Sequence, residues 1–406
     1  MRAIGRGLYP AAMDQDSFSP SARIAILVHS MNEGGAQLRL VSLANRFAAC
    51  GHGVDFIAVS GAGSVGRLLA PAVRQVTLVP PGKHPLVRIT AGLAPLKHYL
   101  TQHRPAVLMA GSNQAHAVAA LACAAQSEPP LLVLRAARHP QRAIPWSRPW
   151  RRLTALALRP VERWTLGRAD LVIAVSNASA AAIAAMAPDP ARVIAIPNPT
   201  ITEAFRASLA TRVEHRWFDA AEAGGDPVVL GVGRLSTAKN FETLVEAVGI
   251  ANRTRPVRLI LLGEGKRRAA VEALVAKLGL GERVELAGHV KSVGPWLARA
   301  DLLVSSSLWE GSPGAIIEAL EAGLPVVATA CPGGSAELLD GTAGGLLVPM
   351  RDPAAMAEAI VAMLARPRER AAICALAQPY QDDGRADLAY LAAFEAATKR
   401  KAAAPA

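Results

Sequence analysis

The chain has 406 residues, beyond the ~250–300 at which a single hydrophobic core stops growing, so two domains are expected. Its 51% hydrophobic and 19% charged content excludes a disordered chain, and it holds no uncharged apolar run of about 18 residues that could span a membrane. The 44 Lys and Arg against 32 Asp and Glu give a net charge of +12, which suits phosphorylated or anionic partners. With only 4% aromatics, nucleic acid is not an expected partner.

Residues 1–21 hold two arginines and no apolar run long enough for a signal peptide, so they read as a flexible leader and the location as cytoplasmic. From Arg23 onward, short β-branched runs alternate with helical patterns. RIAILVH (23–29) reads as a buried strand and the segment from Gly34 to Cys50 as a helix. Strands VDFIAVS, RQVTLVP, AVLMAG, LLVLR and LVIAVS follow. Continuous apolar strands between helices mean a parallel sheet covered on both faces. The pattern loosens after Pro197, and residues 201–226, ending in AGGDP, read as a linker.

Alternation restarts with PVVLGVG, VRLILLG, RVELAG, DLLVSSS and PVVATA, then closes on an Ala-rich helix around Asp387–Ala397 and a frayed KRKAAAPA. The expected organisation is a first Rossmann-like domain over 22–200, a second over 227–380, and a C-terminal helix and tail over 381–406. The four cysteines, Cys50, Cys123, Cys331 and Cys374, form no CxxC pair and read as free thiols. In open α/β sheets ligands bind beyond the carboxyl ends of the strands, so the loops after strands carry the candidate chemistry.

The strongest such loop is Trp309-Glu310-Gly311-Ser312-Pro313-Gly314-Ala315, which leads from DLLVSSS into a helix containing Glu318. Ser312 suits an N-cap and Pro313 the first helical position. The unpaired N–H groups of such a first turn attract phosphate. Glu318, further along the helix, suits a ribose diol. In the second loop, strand PVVLGVG delivers Arg234, with Lys239 five residues on and Asn240 placed to cap the next helix. Two cations at a strand end suit a diphosphate.

Competing motifs fail. GVGRLS lacks the third glycine and the acidic partner of a dinucleotide fingerprint. GEGKRR has Ile260 where a P-loop needs its first glycine and Arg267 where it needs Ser or Thr. The DQD triplet at 14–16 precedes the first strand, so no metal site is expected.

Gly-Arg-Leu then Lys-Asn, followed by Glu310-x7-Glu318, resembles the retaining glycosyltransferases of family 4, which have the GT-B fold. LLGEGKRR, VELAGHV, ADLLVSSSLWEG, CPGGSAELLDGTAGGLLVP and, in the first half, VSN and IPNP extend the resemblance over roughly residues 22–365. It implies an α/β protein of GT-B architecture, two Rossmann-like doubly wound parallel-sheet domains facing across a cleft. It also implies transfer of a hexose or N-acetylhexosamine from a nucleotide-diphosphate sugar to a glycan or lipid-linked acceptor, without cofactor or metal.

The resemblance assigns Arg234 and Lys239 to the donor diphosphate and Glu310 to the transferred sugar, these three being the catalytic candidates. Gly311, Ser312, Pro313, Gly314 and Ala315 would offer backbone N–H groups, Glu318 would hold the ribose, and Gly263, His289 and Val290 would border the nucleoside. Gly34 and Gly35 look like the family's glycine loop. Where many relatives carry an acid near AVLMAG, this chain has Ala106, so the acceptor-side candidates are Asn113, His116, Arg135 and Arg138. A GT-B-fold epimerase and a non-catalytic nucleotide-sugar-binding protein are the alternatives.

Arg135 to Arg168 holds nine arginines and one acid, Glu162, among Trp146, Trp150 and Trp164. That mixture suits peripheral docking on an anionic membrane.

Overall fold

The computed structural model describes residues 22–32, 35–60, 63–79, 91–113, 115–137, 139–140 and 149–403, with the side chains at 36 and 149–158 excepted. Gly34, Arg138, Trp146 and Arg148 therefore lie outside the described residues. The chain forms two units. The first runs to Asn198 and resumes at Asp383; the second spans Pro199–Asp382.

In the first unit the strands are β1 (Arg23–Ser30), β2 (Gly53–Ser60), β3 (Val73–Val79), β4 (Val107–Ala110), β5 (Leu131–Ala136), β6 (Leu171–Ala174) and β7 (Val193–Ala195). They pair in parallel in the order β3-β2-β1-β4-β5-β6-β7. Alternate residues of each strand feed two cores. Ile24, Ile26 and Val28 pack with Leu43 and Phe47 of helix Gly35–Ala49 and with Tyr390 and Phe394 of helix Arg385–Ala403. Ala25 and Leu27 face the opposite layer, with Leu96, Tyr99 and Val118. This two-sided burial is why β1 reads as an unbroken apolar run.

One charge sits inside this layer. Asp55 of β2 is fully buried and accepts from Arg74 at 2.7 and 2.8 Å, from Arg23 at 3.1 and 3.2 Å, and from the Tyr99 hydroxyl. Burial alone would push its carboxyl up. The hydrogen bonds from Arg74, Tyr99 and Arg23 outweigh it and leave the group below its ordinary 3.8. A depressed carboxyl stabilises the fold fully above its unfolded value, and that contribution fades as pH falls through the folded one.

Asp55→Asn is therefore expected to cost about 3 kcal/mol at neutral pH, the low end for breaking a buried pair, because both arginines are half-exposed. Its melting temperature should also fall less steeply than the wild type's below pH 3.8. Parallel acid limbs for the two proteins in a melting series from pH 7 to 3 would refute the assignment.

The second unit contains β8 (Val228–Val232), β9 (Arg258–Leu262), β10 (Val284–Gly288), β11 (Leu302–Ser305), β12 (Val326–Thr329) and β13 (Gly345–Val348), in the parallel order β10-β9-β8-β11-β12-β13. Strand order reverses between β8 and β11, so the crevice at their carboxyl ends is the ligand position that this topology provides. Both strong sequence loops begin there.

Residues 201–226, expected as a linker, belong to this unit and carry helices Glu203–Ser208 and Arg216–Glu222. Thr202 and His215 cap them by accepting from the amides of Phe205 and Trp217. The polar sequence hides a Trp217-Phe218 pair that is 3% and 1% exposed. Nor does the last helix fray after Ala397: it continues to Ala403, held by Lys401, which bonds Asp170 at 2.9 Å and the carbonyl of Pro130 at 2.9 Å. Among the described residues no helix is long and apolar enough to cross a membrane.

Candidate active site

Three strand ends in the second unit are built on glycine. Gly233, Gly263 and Gly288 follow or end β8, β9 and β10 with φ of 145°, 140° and 78°. Their backbones interlock: Gly233 N–H donates to Leu262 O at 2.9 Å, and Gly263 N–H to Gly288 O at 2.7 Å. A Cβ on Gly263 would lie 2.0 Å from Gly233 O, and one on Gly233 would lie 2.6 Å from Lys239 Cε. Only glycine lets the chain fold this closely and lets the lysine stem cross it.

Gly263→Ala is expected to lose at least about 1–3 kcal/mol, since it adds left-handed strain to a backbone collision. Urea unfolding checks this, and wild-type stability would contradict the interlock.

Lys239 and Glu310 meet at the β8/β11 switch point. Nζ lies 2.7 Å from Glu310 Oε1, and the side chains are 22% and 12% exposed. Ser307 Oγ donates to the same Oε1 at 2.6 Å, and Ser306 Oγ donates to Lys239 O at 2.8 Å. The Glu310 backbone is fixed as well. Its N–H donates to Pro332 O at 2.9 Å, and its carbonyl abuts Gly333, whose φ is 130°. Both side-chain bonds reach Oε1, and among the described residues none reaches Oε2, which leaves that oxygen to accept from a ligand hydroxyl.

Cys331 lies buried beside this pair. Burial raises its thiol and the Glu310 charge raises it further, so it is a neutral packing group. Arg234 is exposed at the end of β8 and has no ion-pair partner among the described residues. A free and a restrained cation thus share one strand end.

The helix after β11 spans Gly314–Glu321, one residue later than Pro313 at its first position would give. Gly314 N–H donates to Ser312 O at 3.0 Å in a tight turn, so Pro313 becomes the cap residue and Ser312 does not cap with its side chain. The Ala315 amide has no acceptor among the described residues, in keeping with an anion-facing first turn. Gly311, Ser312 and Ala315 are half-buried, as is Glu318 on the same helix. Asn240 does occupy the cap of helix Phe241–Ala251, but in the left-handed region at φ 48°. Its side-chain amide donates to Thr243 Oγ1 at 2.7 Å instead of accepting from a helix amide. His289 is exposed and Val290 half-buried just past β10.

The first-unit candidates fare unevenly. Gly35 opens helix Gly35–Ala49, and among the described residues nothing lies within 4 Å of where a Cβ on it would stand. Asn113 and His116 line a cavity of about 230 Å³ with Glu162, Thr165, Leu166 and Met186. The His116 ring packs inward with Nε2 3.2 Å from Arg135 O. Burial pushes it down to about 4, against the backbone bonds at Arg135 and Ala110, so it is neutral at neutral pH.

Arg135, an acceptor-side candidate from sequence, is buried instead. It is 0% exposed and bonded to Tyr390 and Asn198, because its position in β5 turns it toward the layer of the C-terminal helix. From sequence, the serines of DLLVSSS read as a strand ending; Ser306 and Ser307 hold the Lys239 carbonyl and the Glu310 carboxylate. A run of hydroxyls between a strand and an acidic loop was the signal.

This geometry, two Rossmann-like units with charged loops at a switch point, defines a GT-B protein. The glycosyltransferase family 4 profile matches residues 33–204, and the glycosyl transferases group 1 profile matches residues 226–366. The chain belongs to the family-4-type glycosyltransferases of GT-B architecture.

Among its relatives, the lipopolysaccharide core biosynthesis glycosyltransferase LpsE of Rhizobium meliloti is 38% identical over 139 residues, 34% of this chain and 40% of LpsE. The N-acetylgalactosamine-N,N'-diacetylbacillosaminyl-diphospho-undecaprenol 4-alpha-N-acetylgalactosaminyltransferase of Campylobacter jejuni is 32% identical over 34% of this chain and 38% of its own. The chain thus spans about two fifths of the length of these curated relatives. Anabaena HepE, solved with UDP and glucose, superposes with a TM-score of 0.72 at 22% identity, over 94% of this chain and 100% of HepE, a likeness of fold.

Proposed function

We propose that the protein is a retaining, metal-independent glycosyltransferase of envelope, exopolysaccharide or lipopolysaccharide synthesis. It would move a hexose or N-acetylhexosamine from a nucleotide-diphosphate sugar to a glycan or lipid-linked acceptor. The observation that carries this reading is the pairing of exposed Arg234 with the Lys239–Glu310 couple at the β8/β11 switch point. The names of relatives that act in lipopolysaccharide core synthesis and on a diphospho-undecaprenol acceptor support the acceptor class, and HepE's UDP and glucose support the donor class.

In this scheme Arg234 and Lys239 hold the diphosphate, and the first turn of helix Gly314–Glu321 adds N–H groups. Glu310 keeps Oε1 on Lys239 and Ser307 and turns Oε2 to a sugar hydroxyl. The acceptor oxygen bonds the anomeric carbon on the face from which the phosphate leaves, and its proton passes to a phosphate oxygen. The nucleoside diphosphate departs with its charge neutralised by the two cations. Orientation and electrostatic stabilisation are then the enzyme's contribution. Beyond buried Arg135, the arginines of the basic segment 135–168 would bring the enzyme to an anionic membrane that carries a lipid-linked acceptor.

The test is turnover with an α-linked nucleotide-sugar in excess EDTA. We expect nucleoside diphosphate release only with acceptor, and an α-linked product by NMR. A β-linked product, or activity that returns only with added magnesium or manganese, would refute the mechanism.

A further inference from the structure

We propose that Arg135 is a positioning residue: a buried guanidinium that pins together the two points where the chain leaves and re-enters the first unit. Arg135 is 0% exposed near the carboxyl end of β5. Its Nε donates to Tyr390 Oη at 3.0 Å and its Nη2 to Asn198 Oδ1 at 2.5 Å. Nη1 has no acceptor among the described residues, and no carboxylate there pairs with the group. A buried cation without a counter-charge is costly, and the same volume filled by an apolar side chain is commonly neutral or stabilising. Stability is therefore a poor account of this arginine.

Its partners give a better one. Asn198 is the last residue of the first unit before the chain crosses to the second, and the chain returns at Asp383, seven residues before Tyr390. One side chain holds both ends. Within the second unit the same two passes are paired again. Thr200 and Ile201 N–H donate to Tyr380 O at 2.7 and 2.9 Å, and Asp382 N–H donates to Ile201 O at 2.8 Å. Glu321 accepts from Arg206 at 2.7 Å and from Gln381 at 2.8 Å. The crossings thus form a paired strap anchored at each end by a charged side chain, Arg135 in one unit and Glu321 in the other. Hinges of this kind are short segments far from the chemistry, and altering them changes turnover.

The proposal rests on the transferase reading for its kinetic arm only. Tyr390→Phe and Asn198→Ala each remove one bond with little change of shape, and Arg135→Met removes both. Hydrogen exchange should quicken about fivefold per lost bond at amides 196–201 and 382–390. Amides of β8 and β9 should keep wild-type protection. Arg135→Met should show the largest change with a melting temperature close to wild type. With donor and acceptor, kcat should fall about tenfold at unchanged donor KM, since misplacement and not donor binding is affected.

Unchanged exchange at both crossings in Tyr390→Phe and Asn198→Ala would overturn the proposal. So would protection lost evenly across the first unit, or a loss confined to donor KM. If the wild type transfers no sugar at all, the transferase reading fails, and the exchange comparison still decides the strap.

Discussion

Arg234→Ala is expected to lower kcat by ~10²–10³ and leave the melting temperature at the wild-type value, the magnitude typical of losing one donor to developing transition-state charge. The separation of the two effects follows from the structure. Arg234 is exposed and without an ion pair, so the unliganded fold does not use it. Donor KM should change less than kcat, because charge on the diphosphate grows as the sugar–phosphate bond breaks. Lys239→Ala should lose a similar factor in kcat, but it should also melt earlier. Glu310 is only 12% exposed and would lose the cation 2.7 Å from Oε1. An uncompensated carboxylate in that position is destabilising. Steady-state kinetics and a melting curve for both variants check this contrast, and near-wild-type kcat in both would remove the diphosphate clamp from the mechanism.

Glu318→Ala is expected to behave in the opposite way. A ribose diol does not change charge during transfer, so hydrogen bonds to it hold ground state and transition state equally. Losing bonds to a charged acceptor costs roughly 1.5–3 kcal/mol, so donor KM should rise about 10–100-fold with kcat preserved at saturation. The half-buried Glu318 stands on helix Gly314–Glu321, whose other face, with Ile316, Ile317 and Leu320, builds the core. The helix should therefore form without it. A fall in kcat as large as that of Arg234→Ala, measured at saturating donor, would show that Glu318 acts on the reacting centre and not on the ribose.

The strands were legible because parallel strands covered on both faces leave unbroken apolar runs, as in RIAILV of β1 and RLILL of β9. The short edge strands β7 and β13 were not, since VIA and GLLV carry too few residues to show a period. The helices at Glu203–Ser208 and Arg216–Glu222 were hidden by polar surroundings, and what fixes them is tertiary, the burial of Trp217 and Phe218.

At the candidate site, residue types and spacing singled out Arg234, Lys239 and Glu318, and the family resemblance added Glu310. They could not show that Lys239 and Glu310 are partners 71 positions apart, because that contact depends on β8 lying beside β11. Arg135 is the converse case. A strand-end arginine reads as a ligand-facing cation, and only the return of the C-terminal helix with Tyr390 shows that it points inward.

Discrimination between nucleoside diphosphate and monophosphate tests the clamp most directly. UDP and UMP are titrated calorimetrically into wild type, Arg234→Ala and Glu318→Ala, with the guanosine and adenosine pairs used if the uridine pair does not bind. The wild type should prefer the diphosphate strongly. Arg234→Ala should lose most of that preference, and Glu318→Ala should weaken both nucleotides while keeping it. A diphosphate preference undiminished in Arg234→Ala would contradict the clamp and move the phosphate site elsewhere.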